Sequence, residues 1–245
     1  MAVYGISGLH LSFMAEPDLG IWQNVHEYKP MSIFGEHWRE HYKYIYENWQ
    51  EAVQAEDTVL LPGDLSWGLK LEDCIYDFAF LGALNGNLLI SKGNHDYWWQ
   101  SLKKVKAVLP ANTKALQHSA VLVEGKAVCA TRGWLCPGAK DYNHTGEDEK
   151  IYLRELIRLE MALKEAKALS DDIMVMLHYR PVNDKLECSG FIDLMSDYGV
   201  KTCIYGHIHT EDIANNFTGE HWGMDFKLVA CDYLGFNPLK LWEGK

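Results

Sequence analysis

One repeated pairing narrows the folds open to this chain more than any other feature: a short apolar run followed by a turn that carries polar ligand-type side chains. Residues 2–7, 58–61, 87–91, 172–177 and 201–205 are such runs, with the length and composition of buried β-strands. They lead into Gly8-Leu9-His10, Gly63-Asp64-Leu65-Ser66-Trp67, Gly93-Asn94-His95-Asp96, His178 and Gly206-His207-Ile208-His209. Between them lie helical spacings: Trp38, Tyr42, Ile45, Trp49 and Val53 recur at intervals of three and four, as do Tyr152, Leu156, Leu159, Leu163 and Ala166. Shorter helices are predicted over 71–84, 97–108 and 189–198. Strand and helix alternate, which predicts a layered α/β architecture with helices covering sheet.

Three more strands are predicted at 120–123, 126–131 and 226–231, with Glu124-Gly125 as a hairpin turn between the first two. No helical pattern separates that pair, so part of the molecule is antiparallel or forms a second sheet. Without repeats or a linker-like shift in composition, residues 1–245 read as one domain. Residues 13–35 and 132–146 are longer than ordinary connections, and such stretches are often lids or binding loops.

Composition excludes several classes of function. The net charge is −11, which argues against binding duplex nucleic acid, because phosphate backbones are held by Lys and Arg. A small anion in a locally positive pocket stays compatible with it. The six cysteines form no Cys-x-x-Cys pair, so neither a zinc cage nor a disulfide framework is indicated. No apolar run has the length of a membrane span, and residues 1–7 lack the features of a signal peptide. A cytoplasmic protein without a membrane partner is the expectation.

In open α/β sheets the ligand crevice lies beyond the carboxyl ends of the strands. The turns above place Asp64, Asn94 and five His there, a donor set that suits manganese, iron or zinc. Singly, each piece is ordinary, since a strand-end His is often a hydrogen-bonded structural group and Gly-Asp is often only a turn. Five of them, at the ends of five different strands, point to one site.

The ordered set GLH, GDLSWG, GNHD, LHY and GHIH resembles the calcineurin-like metallophosphoesterases across residues 3–232. Their signature is Asp-x-His, Gly-Asp, Gly-Asn-His-Asp/Glu, a lone His and Gly-His-x-His. The resemblance implies a four-layer α/β/β/α sandwich, two mixed β-sheets flanked by helices. It also implies two divalent metal ions and hydrolysis of phosphate esters. Carried over residue by residue, Asp64 bridges both metals, His10 and His209 complete the first site, and Asn94, His178 and His207 complete the second. His95 binds no metal and protonates the leaving oxygen. Where the family has aspartate this chain has Gly8, so the first metal site is expected to be weak. Glu16 and Asp18 are candidate replacements with nothing in the spacing to favour them.

Trp67 stands where protein phosphatases of the family carry a second acid, which disfavours a phosphoprotein substrate. The more similar branch is the phosphohydrolases of small or diester substrates, so a small phosphate ester is the expected partner; KPMSIFG at 29–35 and TRGW at 131–134 resemble a bacterial subgroup of predicted phosphohydrolases, which adds no substrate. Arg132 and Arg180 are candidates for holding a phosphate oxygen, with a surface salt bridge as the competing role. Tyr97, Trp98 and Trp99 suit either base stacking or packing, and His26 and His37 are weaker candidates for a pocket mouth. Lys150, Arg154, Arg158 and Lys164, interleaved with Glu149, Glu155, Glu160 and Glu165, read as a solvated helix face. A noncatalytic scaffold of the same fold is the rival reading, and Gly8 is what sustains it.

Overall fold

Strands that are apolar at nearly every position need cover on both faces, because side chains alternate from one face to the other. The computed structural model describes residues 1–143, 146–209 and 216–244, and two sheets meet that need among them. The first contains β1 (Ala2–Gly5), β2 (Thr58–Pro62), β3 (Asn87–Ser91), β4 (Thr113–Ala115) and β11 (Leu239–Glu243), in the order β11-β1-β2-β3-β4. The second contains β5 (Ser119–Val123), β6 (Lys126–Thr131), β7 (Ile173–Leu177), β8 (Thr202–Tyr205), β9 (Gly219–His221) and β10 (Met224–Leu228), in the order β5-β6-β7-β8-β10-β9. β1 to β4 run parallel, as do β6, β7, β8 and β10, while β11, β5 and β9 pair antiparallel at the edges. Both sheets are therefore mixed.

Alternation along the strands sorts the core into layers. Val3, Leu60 and Leu89 of the first sheet meet Val128, Ala130, Met174, Met176 and Ile204 of the second. The intervening residues Tyr4, Val59, Leu61, Leu88 and Ile90 face outward onto α1 (His41–Ala52) and α2 (Ile75–Ala83). On the other side Ala127, Cys129, Val175, Cys203 and Tyr205 face α4 (Glu147–Leu169) and α5 (Gly190–Asp197). The result is the α/β/β/α sandwich that the resemblance implied.

Local chemistry explains where elements start and stop. α1 buries Tyr42, Ile45 and Trp49, one stripe at helical spacing, and the Trp49 indole donates to the Asn85 carbonyl at 2.9 Å. The side chain of Ser189 caps α5 by accepting from the amides of Phe191 and Ile192. Glu147, Asp148 and Glu149 fill the first turn of α4, where the helix dipole favours negative charge. At the hairpin, Glu124 and Gly125 have φ of 44° and 84°, the conformation a two-residue turn of this twist needs.

Several expectations are corrected. The helix foreseen over 97–108 is confined to α3 (Leu102–Lys106), because Trp98 and Trp99 are buried and the backbone before them turns around Asp96. The 71–84 helix divides into a 3-10 turn (Leu71–Cys74) and α2. β10 begins two residues before the foreseen 226–231 strand and ends at Leu228; beyond it, Ala230 pairs with Ser7 of the opposite sheet. Glu155 does not belong to a solvated face, since it is completely buried. β4, β9 and β11 escaped the sequence reading because edge strands are short and only partly apolar.

The long 13–35 loop is fastened at its root. Phe13 N–H donates to Asp77 Oδ1 at 2.9 Å, Ser66 O–H donates to Asp77 Oδ2 at 2.5 Å, and Ser12 O–H donates to the Lys29 carbonyl at 3.0 Å. Residues 144–145 of the second long loop lie outside the described residues.

Burial pushes the Asp77 carboxyl up to about 7, against the opposing pull of Ser66 and Phe13. A carboxyl raised on folding binds its proton more tightly in the native state, so its contribution is complete at low pH and is lost as pH rises through about 7. Unfolding free energies of the wild type and Asp77→Asn, measured by denaturant titration from pH 4 to pH 8, should diverge in favour of the variant as pH rises and then stay parallel. A difference independent of pH would show that Asp77 is ionised throughout.

Candidate metal centre

Carboxyl ends of parallel strands from both sheets converge on one corner, and the groups gather around Asp64. This residue follows β2 with φ of 55° and is 1% exposed. Its Oδ1 accepts the amide of His95 at 2.8 Å. Its Oδ2 lies 3.3 Å from His178 Nε2 and 3.8 Å from His10 Nε2 and has no hydrogen-bond partner. Burial alone would raise this carboxyl, but His178, with His10 and His95, holds it well below the usual carboxylate range.

Two backbone devices set Asp64 in place. Asp96, fully buried, accepts the amides of Asp64 (2.8 Å), Leu65 (2.9 Å) and Gly93 (2.7 Å) and the Trp98 indole (3.0 Å). It thereby ties the turn after β2 to the turn after β3. Gly93 makes the approach tolerable, because a Cβ there would stand 2.1 Å from Asp64 Oδ1.

The six expected ligands fall into two sets. His178 Nε2 is 2.6 Å from Asn94 Oδ1, while its Nδ1 faces the Pro62 carbonyl at 2.9 Å. A proton on Nδ1 satisfies that carbonyl, and although burial lowers His178, the Asp64 carboxylate and the Pro62 carbonyl outweigh it and raise its pKa, so Nε2 presents a proton to Asp64 and Asn94 that a bound cation would displace. Ligand atoms of Asp64, His178 and His207 all lie within 4.8 Å of one another. Burial and the neighbouring His178 lower His207 to about 3, so it offers a neutral nitrogen.

On the other side His10 Nε2 and His209 Nε2 approach to 3.2 Å. His10 is held well below its ordinary value, first by burial. His209 Nδ1 is 2.9 Å from Asp232 Oδ1, which places a proton on Nδ1 and turns Nε2 toward His10. Imidazole nitrogens gathered beside a buried carboxylate oxygen that has no hydrogen-bond partner are a donor set that a divalent cation takes up. The residues therefore fit divalent metal in chemistry as well as in position.

Gly8 has φ of 67°, and a Cβ on it would fall 2.8 Å from His209 Cε1. The position looks into the His10–His209 pair, and the His209 ring stands where a side chain on residue 8 would begin. Glu16 and Asp18 are solvent-exposed. The buried carboxylate beside this pair is Asp232, which follows β10 and which the sequence reading missed; its cue would have been a further parallel strand ending beside Gly8, where Cys231 S–H donates to the Gly8 carbonyl at 2.9 Å.

His95 sits at the opening, half-buried, with its ring 4.5 Å from Trp67 and 5.8 Å from His10. Burial lowers its pKa, and Asp64 opposes that shift. Lys29, from the fastened loop, sets its ammonium 3.1 Å from the Trp67 ring centroid, a cation at the rim that the sequence reading did not single out. Tyr97 is exposed near His95, whereas Trp98 and Trp99 are core. His26 and His37 are both exposed.

The two arginines lie apart from Asp64 in their contacts. Arg180 donates to the Val182 carbonyl at 3.2 Å and to Asp184 at 2.8 Å, in a cavity of about 390 Å³ that His207 also lines. Arg132 stacks its guanidinium 4.4 Å from the Trp134 ring centroid and lies 3.9 Å from Glu155.

No helix among the described residues is long and apolar enough to cross a membrane. No curated protein sequence matches the chain. Among solved structures, phosphopantetheinyl hydrolase from Mycobacterium tuberculosis is 11% identical, covering 94% of this chain and 88% of its own, with a TM-score of 0.54. GAP50, the anchor in the inner membrane complex of Plasmodium, is 14% identical, covering 95% of this chain and 72% of its own, with a TM-score of 0.50. Likeness at such identities shows a common fold alone. The model of the calcineurin-like phosphoesterases matches residues 9–211, and the chain belongs to that family.

Proposed function

We propose that this chain is a phosphoric ester hydrolase, acting as one domain with two divalent cations on a small or nucleotide-like monoester or diester. Family membership supports the coarser part of this reading, a metal-dependent phosphoesterase. The finer part is carried by one observation: a buried, ionised Asp64 with an unpartnered oxygen between the His178–His207 and His10–His209 pairs. Asn94, His178 and His207 would join it in holding one cation, and His10 and His209 in holding the other, with manganese, iron and zinc all compatible with the donors.

Bound cations supply Lewis acidity toward the phosphoryl group and activation of the attacking water. The chain's own part is orientation. The Pro62 carbonyl and Asp232 fix which nitrogen of His178 and His209 faces inward, and such outer partners set ligand basicity. His95 stands over the cluster, where its imidazole can pass a proton to the departing oxygen. Lys29 adds positive charge at the rim for a phosphate to meet.

Gly8 makes the His10–His209 site the weaker of the two, since one carboxylate is missing. Asp232 offsets part of that loss through His209. The scaffold reading draws on Gly8 as well, and it requires that His95 be dispensable.

Three measurements test this. Metal analysis after dialysis against graded manganese should find one ion retained tightly and a second held loosely, and Asp232→Asn should weaken the loose one about 10–100-fold. Gly93→Ala should abolish retention of both, because the new methyl displaces Asp64. With manganese added, turnover of p-nitrophenyl phosphate or its bis ester should fall about 10²–10⁴-fold in His95→Ala, and Gly8→Asp should lower the manganese needed. Equal rates in wild type and His95→Ala under every metal would sink the hydrolase reading in favour of the scaffold.

A further inference from the structure

A second cavity, of about 270 Å³, lies between the ends of β3 and β6 and the side of α4. Ser91, Lys92, Arg132, Arg154, Arg158 and Glu155 line it. Four cationic side chains thus share a small volume with a single carboxylate, in a chain whose net charge is −11. That carboxylate is already engaged: Glu155 accepts the Thr131 hydroxyl at 2.6 Å and the Arg158 guanidinium at 2.5 Å. Three positive charges remain without a matching anion in the lining.

Two polar atoms of the lining residues are buried with no hydrogen-bond partner, Ser91 Oγ and Arg132 Nε. Each is a donor lacking an acceptor. A buried donor left unmet costs about 1–3 kcal/mol, and such groups are uncommon enough in folded proteins to call for a cause. Lys92 gives one of its three donors to the Trp99 carbonyl at 3.4 Å, which leaves two for a ligand. Surplus positive charge combined with unmet donors selects an anion that accepts several hydrogen bonds, rather than water.

From these contacts we propose that the cavity is a binding pocket for a phosphate-like group, separate in its lining from the metal cluster. Its volume lies just under the range of about 300–1,000 Å³ usual for whole small molecules, so it takes an anionic group and not an entire nucleotide. The pocket is a near neighbour of the candidate metal centre. Lys92 precedes Asn94 by two residues, a span of at most about 7 Å, and the Arg132 carbonyl accepts the amide of His178 at 3.0 Å. The occupant is either free phosphate or a second phosphate on the substrate whose ester reaches the metals; the latter source rests on the hydrolase reading.

Binding is tested first without metal, so that no phosphate held by cations is counted. Isothermal titration of the chelator-treated protein with inorganic phosphate should give one site, weakened at least fivefold in Arg154→Ala and in Ser91→Ala. Arg154 is exposed and Ser91→Ala removes one hydroxyl, so both variants should keep the wild-type circular dichroism spectrum. Absence of binding to the wild type, or wild-type affinity in either variant, overturns the pocket whatever the fate of the hydrolase reading. The source is then settled with manganese-loaded enzyme, by comparing adenosine 3′,5′-bisphosphate with adenosine 5′-monophosphate. A higher kcat/KM for the bisphosphate that disappears in Arg154→Ala identifies the substrate's second phosphate, and equal kcat/KM values alongside phosphate binding identify free phosphate.

Discussion

A charged carboxylate taken out of water has to be surrounded by donors or cations, and the corner of this molecule around Asp64 is organised by that requirement. The residue is 1% exposed, and one of its oxygens is met only by an amide. Unpaired, such a group would cost several kcal/mol or take up a proton. Here imidazoles from three other turns hold it ionised. The buried Asp96 does separate work, since its acceptors are saturated by backbone amides and an indole. Two aspartates a strand apart thus have different tasks: one fastens loops, and the other keeps an oxygen open.

Holding that oxygen open imposes costs on the backbone. His10, Asp64 and His207 all have φ between 47° and 68°, a region that non-glycine residues enter at about 1–2 kcal/mol each. The strain is tolerated because neighbouring contacts leave little alternative. Amide-to-carbonyl bonds link the first turn to the second, from Gly8 to Gly63 and from His10 to Asp64. The Ser7–Ala230 bridge then joins the two sheets directly behind the site. Positive φ at non-glycine residues also occurs in turns away from the site, at Trp22, Glu40 and Leu186 for example, but at this corner it falls on the very side chains that surround the open oxygen.

The absent carboxylate at Gly8 illustrates how a site depends on more than its first ligands. A methyl at this position would press on His209, so the imidazole occupies ground that a longer side chain would contest. Asp232 reaches the same imidazole from the far side. Negative charge is therefore near the His10–His209 pair, one atom layer farther out than a direct ligand would bring it. The neighbouring cationic pocket shows the converse, since the one carboxylate of Glu155 is shared between Arg158 and Arg132.

Much of this was legible before any coordinates. Short apolar runs predicted the strands of both sheets because burial on two faces needs continuous hydrophobicity, and the polar turns after them predicted the corner because parallel strands share one carboxyl end. Boundaries were less legible where side chains override spacing, as at Asp96, which turns the backbone through the first half of a foreseen helix. The sequence by itself determined the layered class and the inventory of His10, Asp64, Asn94, His95, His178, His207 and His209. Only the tertiary structure decided that Asp232 orients His209, that Lys29 reaches the rim, and that Arg132 joins Arg154 and Arg158 around a buried Glu155. Those pairings connect residues distant along the chain, and their energies arise from burial and contact, which no local pattern of residues encodes.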